Sequence, residues 1–156
     1  MGSKRRRENR RYIERLAAAQ LFANCTPKEL RAIASLCTPV NVRAGRVLTR
    51  QGSRGDQCFV VMSGHAVVER DGVIVGHIVD GSVIGELALL SHCPRSATVT
   101  AATDMELLVM SCSEFTALRA LGIDTTVRRA LDEIAHDRRA LLERPAIAVE
   151  EPVAVS

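Results

Sequence analysis

Turn residues break the middle of this chain into short pieces, and that limits it more than any other feature. Ala44-Gly45, Gly52, Gly55, Ser63-Gly64, Asp71-Gly72 and Asp80-Gly81 fall between β-rich runs. Those runs are Val47–Arg50, Cys58–Ser63, His65–Arg70, Val73–Val79, Thr98–Ala102 and Met105–Met110. Asp71-Gly72 is a strong two-residue hairpin signal, because that turn needs positive φ and Gly adopts it without steric cost. Short strands joined by closely spaced turns build a β-sandwich or jelly roll.

Helices flank this region. Ile13, Leu16, Ala17 and Gln20-Leu21 recur at helical spacing. Thr26-Pro27-Lys28-Glu29 forms a capping box with Pro at the first helical position, predicting a second helix to about Leu36. With 156 residues, there is one domain with appendages and enough chain to bury a core. Aromatics are only 3% and Trp is absent, so that core is aliphatic. Readers of single-stranded nucleic acid that stack bases on aromatic platforms are disfavoured.

The chemistry gathers in one stretch. Gly85-Glu86-Leu87-Ala88-Leu89-Leu90 is followed by Pro94-Arg95-Ser96-Ala97-Thr98-Val99. Gly85 lets the backbone turn sharply and a ligand approach. Good helix formers follow, and a helix start directs unpaired N–H groups at an anion. Pro94 ends that turn and presents Arg95, whose planar fork matches a phosphate. Glu86, an acceptor when ionised, calls for hydroxyl donors such as those of a ribose. A phosphate held beside a sugar hydroxyl describes a nucleotide.

The same residues resemble the phosphate-binding cassette of the cyclic nucleotide-binding domain family. Its pattern is an aromatic or aliphatic residue, Gly-Glu-Leu-Ala-Leu, a short loop, Pro-Arg, a small residue, Ala, and Thr or Val. Ile84 stands where Phe is commoner, a packing change that leaves the polar groups in place. The likeness extends over roughly residues 20 to 140 in the spacing of strands and glycines. It implies an eight-stranded jelly roll with N-terminal helices and a C-terminal lid helix, mainly β with flanking α. It also implies a ligand site of Gly85, Glu86, Leu87, Ala88, Arg95, Ser96 and Ala97. Ser96 follows the arginine where the family carries Ala or Ser for cAMP and often Thr for cGMP, a leaning toward cAMP.

Enzymatic alternatives find little support. Metal-binding jelly-roll enzymes gather several His at one barrel mouth, whereas His65, His77, His92 and His136 are dispersed singly. No Ser or Cys nucleophile sits in a recognised context with an orienting His. The five cysteines, Cys25, Cys37, Cys58, Cys93 and Cys112, are scattered without a C-x-x-C pair. They predict no disulfide framework and no metal site, and most read as small core residues. Cys93 lies near Arg95, where a cation lowers a thiol pKa; a bystander role is the stronger reading over a redox one. No catalytic residue, metal or cofactor is expected beyond the ligand, cAMP or else cGMP.

Charge is uneven. Residues 1–20 hold seven basic side chains (Lys4, Arg5, Arg6, Arg7, Arg10, Arg11, Arg15) and two acidic ones, a net of +5. The whole chain is +3, so the remainder sums to −2. This head offers weak contacts to anionic partners, though a merely solvated helix is the plainer reading. The longest apolar run in the strand region, Cys58 to Met62, is too short for a membrane span, and no secretory signal is visible. A cytoplasmic protein is expected.

After Phe115 a helical pattern returns. Ile123, Val127, Ala130, Leu131 and Ile134 form an apolar stripe, and its continuation lands on Arg138, then on Leu141 and Leu142. Arg128–Asp132, Arg129–Glu133 and Arg139–Glu143 pair at i,i+4, while Arg138 has no carboxylate at helical spacing. In the resembled family this helix closes over the nucleotide. Arg138 either stacks on the base or snorkels over apolar surface. Residues 144–156 read as a tail, with no helix-turn-helix and hence no sequence-specific nucleic-acid partner.

The expected organisation is therefore a basic extension (1–20), a ligand-binding domain (21–143, with a β-roll about 40–112 and C-terminal helices 113–143) and a tail (144–156). The expected function is a cAMP receptor module that repositions its last helix and acts on an effector protein or fused domain. A degenerate scaffold that serves protein interaction without nucleotide is the alternative.

Overall fold

The computed structural model describes residues 2–86, 94–118, 122–123, 127, 129–130 and 132–133. Helix α1 spans Gly2–Ala18, a single 3₁₀ turn covers Gln20–Phe22, and α2 spans Pro27–Leu36. The Thr26 hydroxyl accepts from the Glu29 N–H at 3.2 Å, and the Glu29 carboxylate accepts from the Thr26 N–H at 2.9 Å. The expected capping box is thus closed in both directions, with Pro27 at the start where its missing N–H costs nothing.

Eight strands follow among the described residues: β1 (Thr38–Val42), β2 (Val47–Thr49), β3 (Gln57–Ser63), β4 (Ala66–Arg70), β5 (Val73–Ile78), β6 (Val83–Ile84), β7 (Thr98–Ala101) and β8 (Met105–Ser111). They form two four-stranded antiparallel sheets, ordered β1-β8-β3-β6 and β2-β7-β4-β5. A short helix, α3 (Cys112–Ala117), leaves β8 directly. The jelly roll with N-terminal helices is as expected.

Two strands were not anticipated. β1 begins at Thr38 and runs through Pro39, so the roll starts slightly earlier than residue 40. Proline is accommodated there because β1 is a sheet edge, where a missing N–H breaks no ladder. β6 is two residues long and pairs Val83 and Ile84 with Val60 and Phe59, delivering the chain to Gly85. At the β4–β5 hairpin Asp71 (φ 54°) and Gly72 (φ 79°) both adopt the left-handed conformation that this two-residue turn demands.

The core has two parts. Between the sheets, Val61, Ala66, Val68, Ile84, Val99 and Leu107 are buried together. On the outer side of β3 and β8, Cys58, Val60, Leu108 and Met110 pack against Leu16, Leu21, Phe22 and Ile33 from the N-terminal helices and Phe115 and Leu118 from the C-terminal side. Ile123 and Val127 join this second cluster and Ala130 packs against it, so the stripe is buried as far as it is described. Arg129 and Glu133 are both exposed and do not form the expected ion pair. Of the described cysteines Cys58 is fully buried in the core, Cys25 and Cys37 are half-buried and pack against it, and Cys112 is half-buried.

Helix α1 joins the domain through its last turns. Leu16 is fully buried and Tyr12 and Ile13 pack beside it, while residues 2–11 are exposed. Arg11 forms an ion pair with Glu106 of β8. No helix among the described residues is long and apolar enough to cross a membrane.

Candidate functional site

The segment 94–98 is held on both flanks. On one side the Gly52 N–H donates to the Arg95 carbonyl and the Arg95 N–H to the Ser53 carbonyl, both at 2.8 Å. Thr49 Oγ1 donates to the Ala97 carbonyl at 3.0 Å, and the Gln51 N–H donates to Thr98 Oγ1 at 3.0 Å. On the other side Arg70 Nε donates to the Ser96 carbonyl at 3.2 Å. Beyond Arg70, the Gln51 side-chain amide and Asp71 clasp each other: Nε2 donates to Oδ1 and the Asp71 N–H donates to Oε1, each at 2.8 Å. Pro94 bridges Arg54. A backbone so constrained fixes where the Arg95 side chain leaves it.

Arg95 is 8% exposed, unusual for an arginine. Its Nη2 donates to the Gln57 carbonyl at 2.7 Å and its Nη1 lies 3.5 Å from the Gly85 carbonyl. Both are neutral acceptors, so N–H groups and a full positive charge remain available for an anion. Burial lowers its pKa from the ordinary arginine value, while Cys58, Asp56 and Glu86 act in the opposite sense. An open cleft of about 300 Å³ reaches the guanidinium past Thr49, Gly55, Gln57 and Phe59.

Two glycines make this placement sterically feasible. A Cβ on Gly85 or on Gly55 would overlap the Arg95 guanidinium, and Gly85 also has φ 77°. Gly55 carried no functional reading in the sequence beyond that of a turn; its role shows only once Arg95 is placed against it. A Cβ on Gly64, another of the turn glycines, would meet the Asp104 carbonyl and Met105 instead, a contact of core packing.

Glu86 is 2% exposed, follows Gly85 directly and acts electrostatically on Arg95. The two residues that the sequence reading assigned to a ribose hydroxyl and a phosphate thus lie close enough to interact electrostatically. Ala97 is fully buried and Ser96 half-buried. The fold thus brings Gly85, Glu86, Arg95, Ser96 and Ala97 together. Leu87, Ala88 and Arg138 lie outside the described residues, as do Cys93, His92 and His136. Sequence reasoning missed Gly55, the Gln57 carbonyl and Arg70; the first two act through backbone, and Arg70 reads as an ordinary strand-end cation until its partner is known. Among the described residues no three His, Cys, Asp or Glu side chains are grouped to hold a metal ion.

The family model for the cyclic nucleotide-binding domain matches residues 39–120. The cGMP-dependent protein kinase egl-4 of Caenorhabditis elegans is 36% identical over 116 residues, covering 72% of this chain and 14% of the kinase. A cyclic nucleotide-gated potassium channel of Rhizobium etli is 35% identical over 130 residues, covering 80% of this chain and 36% of the channel. The chain therefore spans a minor part of these relatives' length. Among solved structures, the regulatory domain of Toxoplasma gondii PKA in complex with cAMP superposes with a TM-score of 0.66 at 28% identity, covering 70% of this chain and 44% of that one.

Proposed function

Because the chain belongs to the cyclic nucleotide-binding domain family, we propose that it is a receptor for a cyclic nucleotide, cAMP in the first instance. The observation that carries this reading is Arg95: a buried cation with spare N–H groups, held between two Cβ-less positions beside buried Glu86. In the bound state the Arg95 fork takes the cyclic phosphate, together with backbone N–H groups of residues 86–88. Glu86 accepts from the ribose 2′-OH. Ser96 favours cAMP without excluding cGMP, since its hydroxyl also bonds a guanine amine.

The module itself performs no chemistry; its output is a change of state read by an effector protein or a fused domain. Kinase and channel relatives, which carry the matched region within longer chains, make both arrangements reasonable. The lid reading holds that the C-terminal helix closes when a purine gives Arg138 a surface to stack on.

Calorimetric titration of the chain with cAMP tests the proposal. Saturable binding with one site per chain is expected. A flat titration with cAMP and with cGMP would leave the scaffold reading in its place.

A further inference from the structure

The inner face of the second sheet is buried at one end and accessible to solvent at the other. Antiparallel partners share a face, so the buried pairs Ala66–Ala101 and Val68–Val99 mark that face as the inner one. Two residues on, Arg70 falls on the same face and pairs with Val73, which is 62% exposed. Val73 directly follows the Asp71-Gly72 turn, beyond a register shift between β4 and β5, so this end of the sheet is accessible to solvent. It adjoins Ser96, whose carbonyl receives the Arg70 Nε–H.

Arg70 is half-buried and its Nε is committed to that carbonyl. No carboxylate among the described residues pairs with it, and its terminal N–H groups have no acceptor there. Asp71, its neighbour, is occupied by Gln51, and Glu69 lies on the opposite face of β4. A tethered fork of donors therefore sits at the hairpin end of β4, bonded to the residue that follows Arg95.

We infer that Arg70 reads the base of the bound nucleotide and favours guanine, so that this site accepts cGMP as well as cAMP. The inference rests on the cyclic nucleotide reading of the Arg95 site. An arginine fork donates and cannot accept. Guanine offers two adjacent acceptors, O6 and N7, whereas adenine sets a donor, the N6 amine, beside its N7. Valines beside Arg70 (Val73, and Val75 against the inner core) supply the apolar surface a purine ring needs.

The test is calorimetric titration of the unsubstituted chain, Arg70→Leu and Arg70→Gln with cAMP and cGMP, each variant first checked for an unchanged melting transition. The expected result is that Arg70→Leu weakens cGMP about 5- to 150-fold, the range for one lost bidentate base contact, and cAMP by less than about 2-fold. Arg70→Gln serves where the leucine variant fails to fold, with the same expected asymmetry. Equal weakening of both nucleotides would reduce Arg70 to a brace for Ser96 and overturn the inference, as would an unchanged ratio. Absence of binding by the unsubstituted chain would instead remove the cyclic nucleotide reading, and the inference with it.

Discussion

Arg95 and Gln57 are joined by a hydrogen bond of 2.7 Å from the guanidinium to a strand carbonyl, which aims a buried cation without neutralising it. A hydrogen bond to a charged group is worth about 1.5–3 kcal/mol, so Arg95→Ala is expected to weaken cAMP about 10- to 150-fold. Titration calorimetry measures this, and unchanged affinity would show that Arg95 is not the phosphate ligand. Gln57 contributes through its backbone, so Gln57→Ala is expected to bind normally.

Gly85 and Gly72 share a left-handed conformation but differ in surroundings. At Gly72 an added Cβ meets nothing within 4 Å, and Gly72→Ala costs only conformational strain, about 1–2 kcal/mol. At Gly85 the same strain is joined by overlap with Arg95 and crowding against the Gln57 carbonyl. Gly85→Ala should melt lower than Gly72→Ala and lose nucleotide affinity, whereas Gly72→Ala keeps it. Melting curves and titrations of the pair check both statements.

Two half-buried thiols predict how stability varies in alkali. Burial, with a smaller effect of Glu114, pushes Cys37 from the ordinary 9.0 up to about 12, and burial with Glu29 pushes Cys25 to about 11. Above pH 9 the unfolded chain releases these protons and the folded chain keeps them. Their contribution is therefore present in full below pH 9 and is lost as pH climbs toward 11 and 12. Urea unfolding at about pH 8 and about pH 10.5 should show a smaller decline for Cys37→Ala than for the parent chain. Equal declines would exclude the thiol as a contributor.

The turn chemistry was legible in residue identities: Asp71-Gly72 and the Thr26–Glu29 box formed as read because each depends on contacts within four residues. The Glu86–Arg95 bracket was legible from the side-chain chemistry of one short segment. What escaped notice depends on distant partners. β1 hides behind Pro39, harmless only because the strand is an edge. The Ser111–Glu114 capping box is the local exception, masked by the strand that runs into it without a break. Arg70 acquires meaning only from Ser96, twenty-six positions later.

Seven basic residues on α1 predict weak binding to any duplex, through phosphates and without sequence preference. Affinity should fall steeply with salt, with a log–log slope of about −0.9 for each phosphate neutralised. The Arg11–Glu106 pair is surface-exposed, so Glu106→Gln should cost less than about 1 kcal/mol. A footprint at one defined sequence at physiological salt would contradict this.

The lid reading is tested by hydrogen exchange over residues 124–143. Protection there should rise with cAMP, and Arg138→Ala should reduce the change by an amount matching one cation–π contact, about 0.5–2 kcal/mol. Identical exchange in both states would make the chain a passive nucleotide binder.

The bracing of segment 94–98 by residues 49–53 on one flank and Arg70 on the other bears on the order in which the molecule assembles. Thr49 meets Ala97 across 48 positions and Arg70 meets Ser96 across 26, so neither contact can form before the intervening chain has closed its loops. Closing long loops precedes the reward from the contacts they permit, which slows folding of non-local β structure. The segment that carries Arg95 therefore takes its observed shape only after these loops have closed. The Arg95 segment is braced on both flanks only once β7 lies between β2 and β4.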